Sequence, residues 1–174
     1  LRESEKEAEE LRLRLDRART DAERDHLTGL PNRRAFEFVF KRQYEEAKTS
    51  REALSVAFCD VDRFKDINDR HGHDAGDRIL KFIAETLSRI SDNNCHVARH
   101  GGEEFVVLFR GYGLDEAADK LNGAREELAA RKLVNRHTDE PIGQISFSAG
   151  LADVWRYPGR QEALRAADDA LLCA

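Results

Sequence analysis

The spacing of apolar positions along this chain changes several times, and each change marks an element. From residue 1 to about 25 there is no glycine or proline, and Glu, Arg, Leu and Ala dominate. Leu1, Ala8, Leu15 and Ala22 recur every seventh position, as do Ser4, Leu11, Ala18 and Asp25, forming a short, imperfect a/d seam. Glu7 and Arg12 then fall at g and the following e, where they could pair across a parallel dimer. So polar a helix has little of its own to bury; a parallel coiled coil is expected, with a single solvated helix as the alternative. Asp25-His-Leu-Thr-Gly-Leu-Pro-Asn32 interrupts the pattern, and Asn32 suits the cap of a new helix through Phe36, Val39, Phe40 and Tyr44. The apolar run Leu54-Ser-Val-Ala-Phe-Cys59 predicts a buried strand over 53–60. A short helix is expected over 64–69. A longer one over 73–90 would turn Ile79, Leu80, Ile83, Ala84 and Leu87 inward. Residues 96–99 and 105–109 read as two strands joined by a Gly-Gly turn, for which Gly101 and Gly102 would supply positive φ. Helix over 114–132, strand over 142–150 and helix over 161–173 complete the chain.

This order predicts an α+β fold, an α/β sandwich with a mainly antiparallel central sheet flanked by helices. We divide it into a dimerising stalk, 1–24, and a domain, 25–174. The element order resembles the palm of polymerases and nucleotide cyclases, but order alone implies no chemistry.

Composition adjusts the picture little. The chain has 174 residues, enough for one domain and an appendage, and 36% of them are charged, which fits a solvated helix. A net charge of −5 argues against non-specific nucleic-acid or anionic-membrane binding. Cys59, Cys95 and Cys173 lack metal-ligand spacing, and their odd number fits a reducing compartment, the cytoplasm. No apolar run approaches membrane-spanning length and no signal peptide is visible. The chain starts at Leu1 and has no methionine, so a fragment lacking an upstream sensory domain is expected.

Two clusters carry candidate chemistry. Asp60 and Asp62 stand at the end of a buried strand, where alternate residues share a face, and such carboxylates suit a hard cation or simply cap the turn. Glu103 and Glu104 follow the two glycines, and adjacent carboxylates repel unless a cation offsets them or solvent screens them. Gly101 and Gly102 also remove side chains that would obstruct a nucleotide. On neighbouring strands, the two clusters could hold two metals roughly 3.5–4 Å apart, as in two-metal phosphoryl transfer.

Gly101-Gly-Glu-Glu-Phe105 resembles the eponymous motif of the GGDEF family of diguanylate cyclases. Asp25-x-Leu-Thr-Gly-Leu-Pro-Asn32 resembles that family's entry motif. Asp60-Val-Asp-x-Phe-Lys-x-Ile-Asn68 and Gly72-His-x-x-Gly-Asp77 resemble its nucleotide-binding stretch. Ser148-Ala-Gly-Leu151 and Ala167-Asp-Asp-Ala-Leu171 resemble its last strand and helix. The likeness covers residues 25–174. It implies condensation of two GTP into cyclic di-GMP, with two Mg²⁺ per site (Mn²⁺ as a substitute) held by Asp60, the Val61 carbonyl and Glu103. Glu103 or Glu104 would assist loss of the 3′-hydroxyl proton. Lys65 would stabilise phosphate charge, amides near Arg63 and Phe64 would contact it, and Asn68 and Asp77 would read guanine, with His73 nearby. Read without the resemblance, the last three are a turn Asn, an Asp near a helix start and a packing His.

Asp77 has a physical logic. Guanine offers one carboxylate two donors, N1–H and the N2 amine, whereas adenine presents an acceptor; GTP should be preferred over ATP. Each domain would hold one GTP, so reaction needs two sites face to face, as a two-fold dimer joined by the N-terminal helix provides. Two departures stand out. The family's basic segment after the last helix would begin beyond Ala174. The Arg-x-x-Asp pair that binds product in relatives has its Asp six residues before the first glycine, where this chain has Cys95, with Asp92 at the Arg position. Arg89-Ile-Ser-Asp92 has the spelling but not the place, and is expected to be a surface ion pair. Two rivals remain: a non-catalytic receptor for GTP or cyclic di-GMP, and a structural dimerisation module.

Overall fold

The computed structural model describes residues 2–172; Leu1 as a seam position and Cys173 as the end of the last helix lie outside them. Helix α1 spans Arg2–Glu23, and none of its residues is buried. Its seam leucines Leu11 and Leu15 are 64% and 52% exposed, as the polar pattern along the helix leads one to expect. Asn32 then starts α2, Arg33–Ser50, its side chain accepting from the Ala35 amide.

The remaining elements are β1 (Leu54–Val61), α3 (Phe64–His71), α4 (His73–Ser88), β2 (Cys95–Arg99), β3 (Glu104–Arg110), α5 (Leu114–Ala129), β4 (Leu133–Val134), β5 (Pro141–Gly143), β6 (Phe147–Asp153) and α6 (Arg160–Leu172). Four strands form a sheet in the order β2-β3-β1-β6, with every neighbour antiparallel. Alternation along β1 divides the core. Ala57, Cys59 and Val61 join a cluster with Ile79, Ile83 and Leu87 of α4 and Leu121 and Leu128 of α5. Val56 and Phe58 face the other way, onto Phe36 and Phe40 of α2 and Ala163 and Ala167 of α6. The α+β sandwich is therefore as expected, and among the described residues no helix is long and apolar enough to cross a membrane.

One packing contact is unusually close. A Cβ on Gly150 of β6 would lie 2.0 Å from the Ala167 carbonyl oxygen and 2.5 Å from the Leu171 nitrogen, so only a glycine lets α6 lie against the sheet.

The strand expected over 142–150 is two elements. Gly143, at φ 91°, ends β5, which pairs with β4 in a separate two-stranded ribbon, and β6 begins only at Phe147. The ribbon also shortens α5, which ends at Ala129 rather than 132. Buried Asn135 organises its loop: its amide donates to the Glu140 carbonyl, its carbonyl accepts from Asp139, and its side chain accepts from the His137 amide.

The expected Arg89–Asp92 ion pair is absent. Arg89, at the end of α4, reaches Glu127 on α5, and the Asp92 carboxylate turns back to accept from the Asn94 and Cys95 amides. At the Leu54 end of β1, Arg110 donates to both Glu52 carboxylate oxygens, at 3.1 and 2.9 Å, and also to Glu46 and Gln43. Hydrogen bonds from Arg110 hold the Glu52 carboxyl below its ordinary range, against a smaller opposing effect of burial.

Candidate active site

The other end of β1 brings the acidic clusters together. Asp60 has the same parity as Val56 and Phe58, so it faces α6. In register it sits opposite Glu104 of β3 and Ser148 of β6. The Val61 amide donates to the Glu103 carbonyl at 3.1 Å, which fixes the β2–β3 loop beside the strand end. A cleft of about 510 Å³ opens here, within the range of small-molecule sites, and Asp60, Glu103, Glu104, Lys65, Ser148 and Asp168 all line it. Val61, Asp62, Arg63 and Phe64 line it too.

Its electrostatics are unbalanced. Burial, and then the charges of Asp62 and Asp168, push the Asp60 carboxyl up, although a hydrogen bond with Glu103 opposes the rise. Glu103 is raised by burial, by the Asp60 charge and by their shared hydrogen bond. Glu104 is raised by burial and by Asp60 and Asp168, with Arg33 opposing. A concave site that holds carboxylates against their preference is a candidate for cation binding.

The glycines act differently from expectation. Neither Gly101 nor Gly102 has a positive φ; the turn closes instead through the His100 and Gly101 amides, which donate to the Glu104 carbonyl at 2.8 and 3.3 Å. A Cβ on Gly101 would come within 2.8 Å of the Glu104 carboxylate, so that glycine clears room for Glu104, whereas a Cβ on Gly102 would meet nothing within 4 Å.

Asp62 also departs from its expected role beside Asp60. Its carboxylate accepts from the Ser148 hydroxyl at 2.6 Å and its amide donates to the Ser146 carbonyl, so it ties the strand end to β6. Arg63 follows with φ 55° and ψ 32°, a left-handed conformation that costs a non-glycine residue about 1–2 kcal/mol. That kink turns the chain into α3, and the amides of Phe64 and Lys65 stand in its first turn, where anions are favoured.

Asn68, His73 and Asp77 stand on α3 and α4, outside the carboxylate cleft, as do Gly101 and Gly102 in their loop. The Asn68 side-chain oxygen is buried without a hydrogen-bond partner among the described residues. A Cβ on Gly76 would overlap it at 1.9 Å, so Gly76 makes the space that Asn68 fills. His73 and Asp77 are exposed at the start of α4.

Sequence reasoning missed Ser148 and Asp168 as members of the cleft. Asp168 had a signal: Ala163, Ala167 and Leu171 mark the buried stripe of α6, and its neighbour therefore borders the sheet. For a divalent cation, the donors at hand are hard oxygens: the Asp60 and Glu103 carboxylates and the Val61 carbonyl. Among the described residues no three acidic, His or Cys side chains form a complete cage. Two carboxylates and a carbonyl fit Mg²⁺ nonetheless, because that ion keeps waters and takes phosphate oxygens from its substrate.

Comparison with known proteins gives a consistent result. The family model described as "Diguanylate cyclase, GGDEF domain" matches residues 22–174. The diguanylate cyclase TpbB of Pseudomonas aeruginosa is 41% identical over 131 residues, 75% of this chain and 30% of that protein. The cyclic di-GMP phosphodiesterase NbdA of the same species is 44% identical over 141 residues, 79% of this chain and 17% of that protein. The chain thus spans under a third of either relative. The crystal structure of the coiled coil and GGDEF domain of DgcB from Caulobacter crescentus, in complex with c-di-GMP, superposes with a TM-score of 0.90 at 35% identity. That match covers 98% of this chain and 90% of the DgcB chain.

Proposed function

Because the chain belongs to the GGDEF family of diguanylate cyclases, we propose that it condenses two GTP molecules into cyclic di-GMP and releases two pyrophosphates. One observation carries the reading: the register of β1 and β3 and the Val61–Glu103 backbone bond bring Asp60, Glu103 and Glu104 to one cleft, where burial and mutual charge raise the carboxyls. Anionic groups gathered in this way, with Asp168 beside them, have their repulsion relieved by a bound divalent cation.

In this reading Asp60, the Val61 carbonyl and Glu103 hold Mg²⁺, two ions per site, with Mn²⁺ as a substitute. The ions supply charge neutralisation for the triphosphate and acidify the attacking hydroxyl. Glu103 or Glu104 accepts the 3′-hydroxyl proton. The Arg63 kink aims the amides of the α3 start at the phosphates, and Lys65 adds a cation there. Asn68, whose oxygen has no hydrogen-bond partner among the described residues, and Asp77 accept from guanine, with His73 alongside. The 3′-hydroxyl of one GTP attacks the α-phosphate of the other across a two-fold homodimer joined by the stalk, residues 1–24. A sensory domain upstream would govern that stalk, and the domain would work in the cytoplasm, where GTP is available.

Incubation with GTP and Mg²⁺, followed by chromatography, tests the proposal: cyclic di-GMP and pyrophosphate are expected. A second reading, a non-catalytic receptor for GTP or cyclic di-GMP, draws on the 44% identity to NbdA, whose name gives the opposite reaction. Metal-dependent GTP binding without product would favour that reading. No GTP binding at all would leave a structural dimerisation module.

A further inference from the structure

Arg99 joins two parts of the molecule that the proposed chemistry treats separately. Its guanidinium donates to both carboxylate oxygens of Asp25, each at 3.1 Å. The same group donates to the Gly101 carbonyl at 3.1 Å and the Gly102 carbonyl at 2.7 Å. Its side chain and that of Asp25 are only 16% and 20% exposed, so water competes weakly for these bonds. A guanidinium is planar and rigid, and a fork that grips a carboxylate and two carbonyls fixes their mutual positions. The residue after Gly102 is Glu103.

The Asp25 end is anchored as firmly. Thr28 donates to Asp25 through its amide and its hydroxyl, at 2.8 and 2.7 Å, and the Asp25 amide donates to the Leu30 carbonyl. Asn32 donates to the last turn of α1, from its side chain to the Ala22 carbonyl at 2.7 Å and from its amide to the Glu23 carbonyl at 2.8 Å. The Arg99 amide donates to Pro31 of the same connector. An unbroken series of hydrogen bonds thus runs from α1 through the connector and Arg99 to the backbone beside Glu103.

We infer that Arg99 is a positioning residue: it sets the Gly101–Glu103 loop according to the geometry of the connector below the stalk, and Asp25 is the contact through which the connector acts. This deepens the catalytic reading above and rests on it for its effect on turnover. A plain surface ion pair would need neither the two carbonyl bonds nor the burial.

The test uses the whole chain with Arg99→Lys and Asp25→Asn, read by steady-state kinetics and by amide hydrogen exchange. Arg99→Lys keeps the charge, but an ammonium cannot span carboxylate and carbonyls, so kcat should fall at least about tenfold, with the KM for GTP within about twofold, as expected of a displaced reacting group. Asp25→Asn touches no loop atom, yet exchange of the 101–104 amides should quicken at least about fivefold while β1 stays protected. Should Asp25→Asn fail to fold, Thr28→Val removes one donor to Asp25 and should give the same change on a smaller scale. Loop exchange equal to wild type overturns the inference, and so does acceleration spread evenly over the domain, the mark of a weakened fold. If the wild-type chain makes no cyclic di-GMP, the catalytic proposal falls and the exchange measurement still decides the role of Arg99.

Discussion

At the Leu54 end of β1, Arg110 meets Glu52, Glu46 and Gln43 with short hydrogen bonds, and the Glu52 carboxyl is held below its ordinary range. At the Asp60 end of the same strand, Asp60, Glu103 and Glu104 gather against Asp168, and burial and mutual repulsion push all three carboxyls up. Eight residues of strand separate a satisfied acidic cluster from an unsatisfied one. The balance of charge differs: Glu52 and Glu46 share hydrogen bonds from one guanidinium, whereas Asp60, Glu103, Glu104 and Asp168 line a cleft with Lys65, and the first three keep raised carboxyls. An acidic patch bonded to its own cation is finished as structure, whereas one still unbalanced is a candidate for a further cation.

The largest effect expected from this contrast is at the unsatisfied end. Glu103→Gln should lower product formation at least about 100-fold, the scale of losing a charge-stabilising group. In chelator the same change should raise Tm, because it removes repulsion. The sign follows from the raised carboxyl: its cost appears as pH rises from the unfolded value through the folded one, so the gain in Tm should be full at neutral pH and fade toward about pH 4. Wild-type turnover, or a Tm gain that grows in acid, would break the comparison.

A perturbation remote from both clusters comes next. Leu11→Asp with Leu15→Asp places charge on the exposed seam of α1 and should yield a monomer by sedimentation, with product formation reduced more than about tenfold and GTP binding retained. A fully active dimer would remove the stalk from the mechanism. Asp77→Ala should weaken GTP binding by about 1–3 kcal/mol through unpaired guanine donors and leave ATP binding unchanged or improved. Calorimetry showing equal losses for both nucleotides would make Asp77 structural.

The satisfied end supplies the mirror image. Arg110→Met should lower Tm and leave turnover per folded molecule unchanged. Glu52 has a lowered carboxyl, so its pairing contributes above the unfolded value and is lost as pH falls through the folded one; the Tm deficit should be widest at neutral pH and close in acid. A deficit constant with pH would mean that Arg110 acts through its packing. The smallest effect is at the product. With Cys95 and Asp92 where relatives carry their inhibitory pair, and with Arg89 engaged by Glu127, titration of cyclic di-GMP in calcium should reveal no sub-micromolar site. Such a site, abolished by Arg89→Ala, would show that the loop changes register.

Elements with a strong period were legible from the amino-acid order. The apolar run before Asp60 is a buried strand, and the five inward positions expected of α4 are all buried, joined by Ala75, Gly76 and Thr86. The ribbon of β4 and β5 was not legible, because two- and three-residue strands carry no period and Gly143 ends the second. Asp60, Glu103 and Glu104 were readable as site residues; Asp168 lay in a quoted motif beside the buried stripe of α6, but its place in the cleft depends on how that helix docks. The role of Gly101 was misjudged: a glycine announces missing bulk, and only the fold shows whether bulk or φ is at stake. Arg110 and Arg99 pair with partners 58 and 74 positions away, beyond any local pattern.

The exposure of α1 bears on how the amount of protein sets the output. None of the residues of α1 is buried, and under the proposed two-fold arrangement its support would come from a second copy, with dimers forming as the square of monomer concentration when association is weak. Under the two-fold reading, doubling expression would then raise activity up to about fourfold, and a modest shortfall would silence it. Gene dosage, as much as any ligand, would act as a threshold control on the messenger.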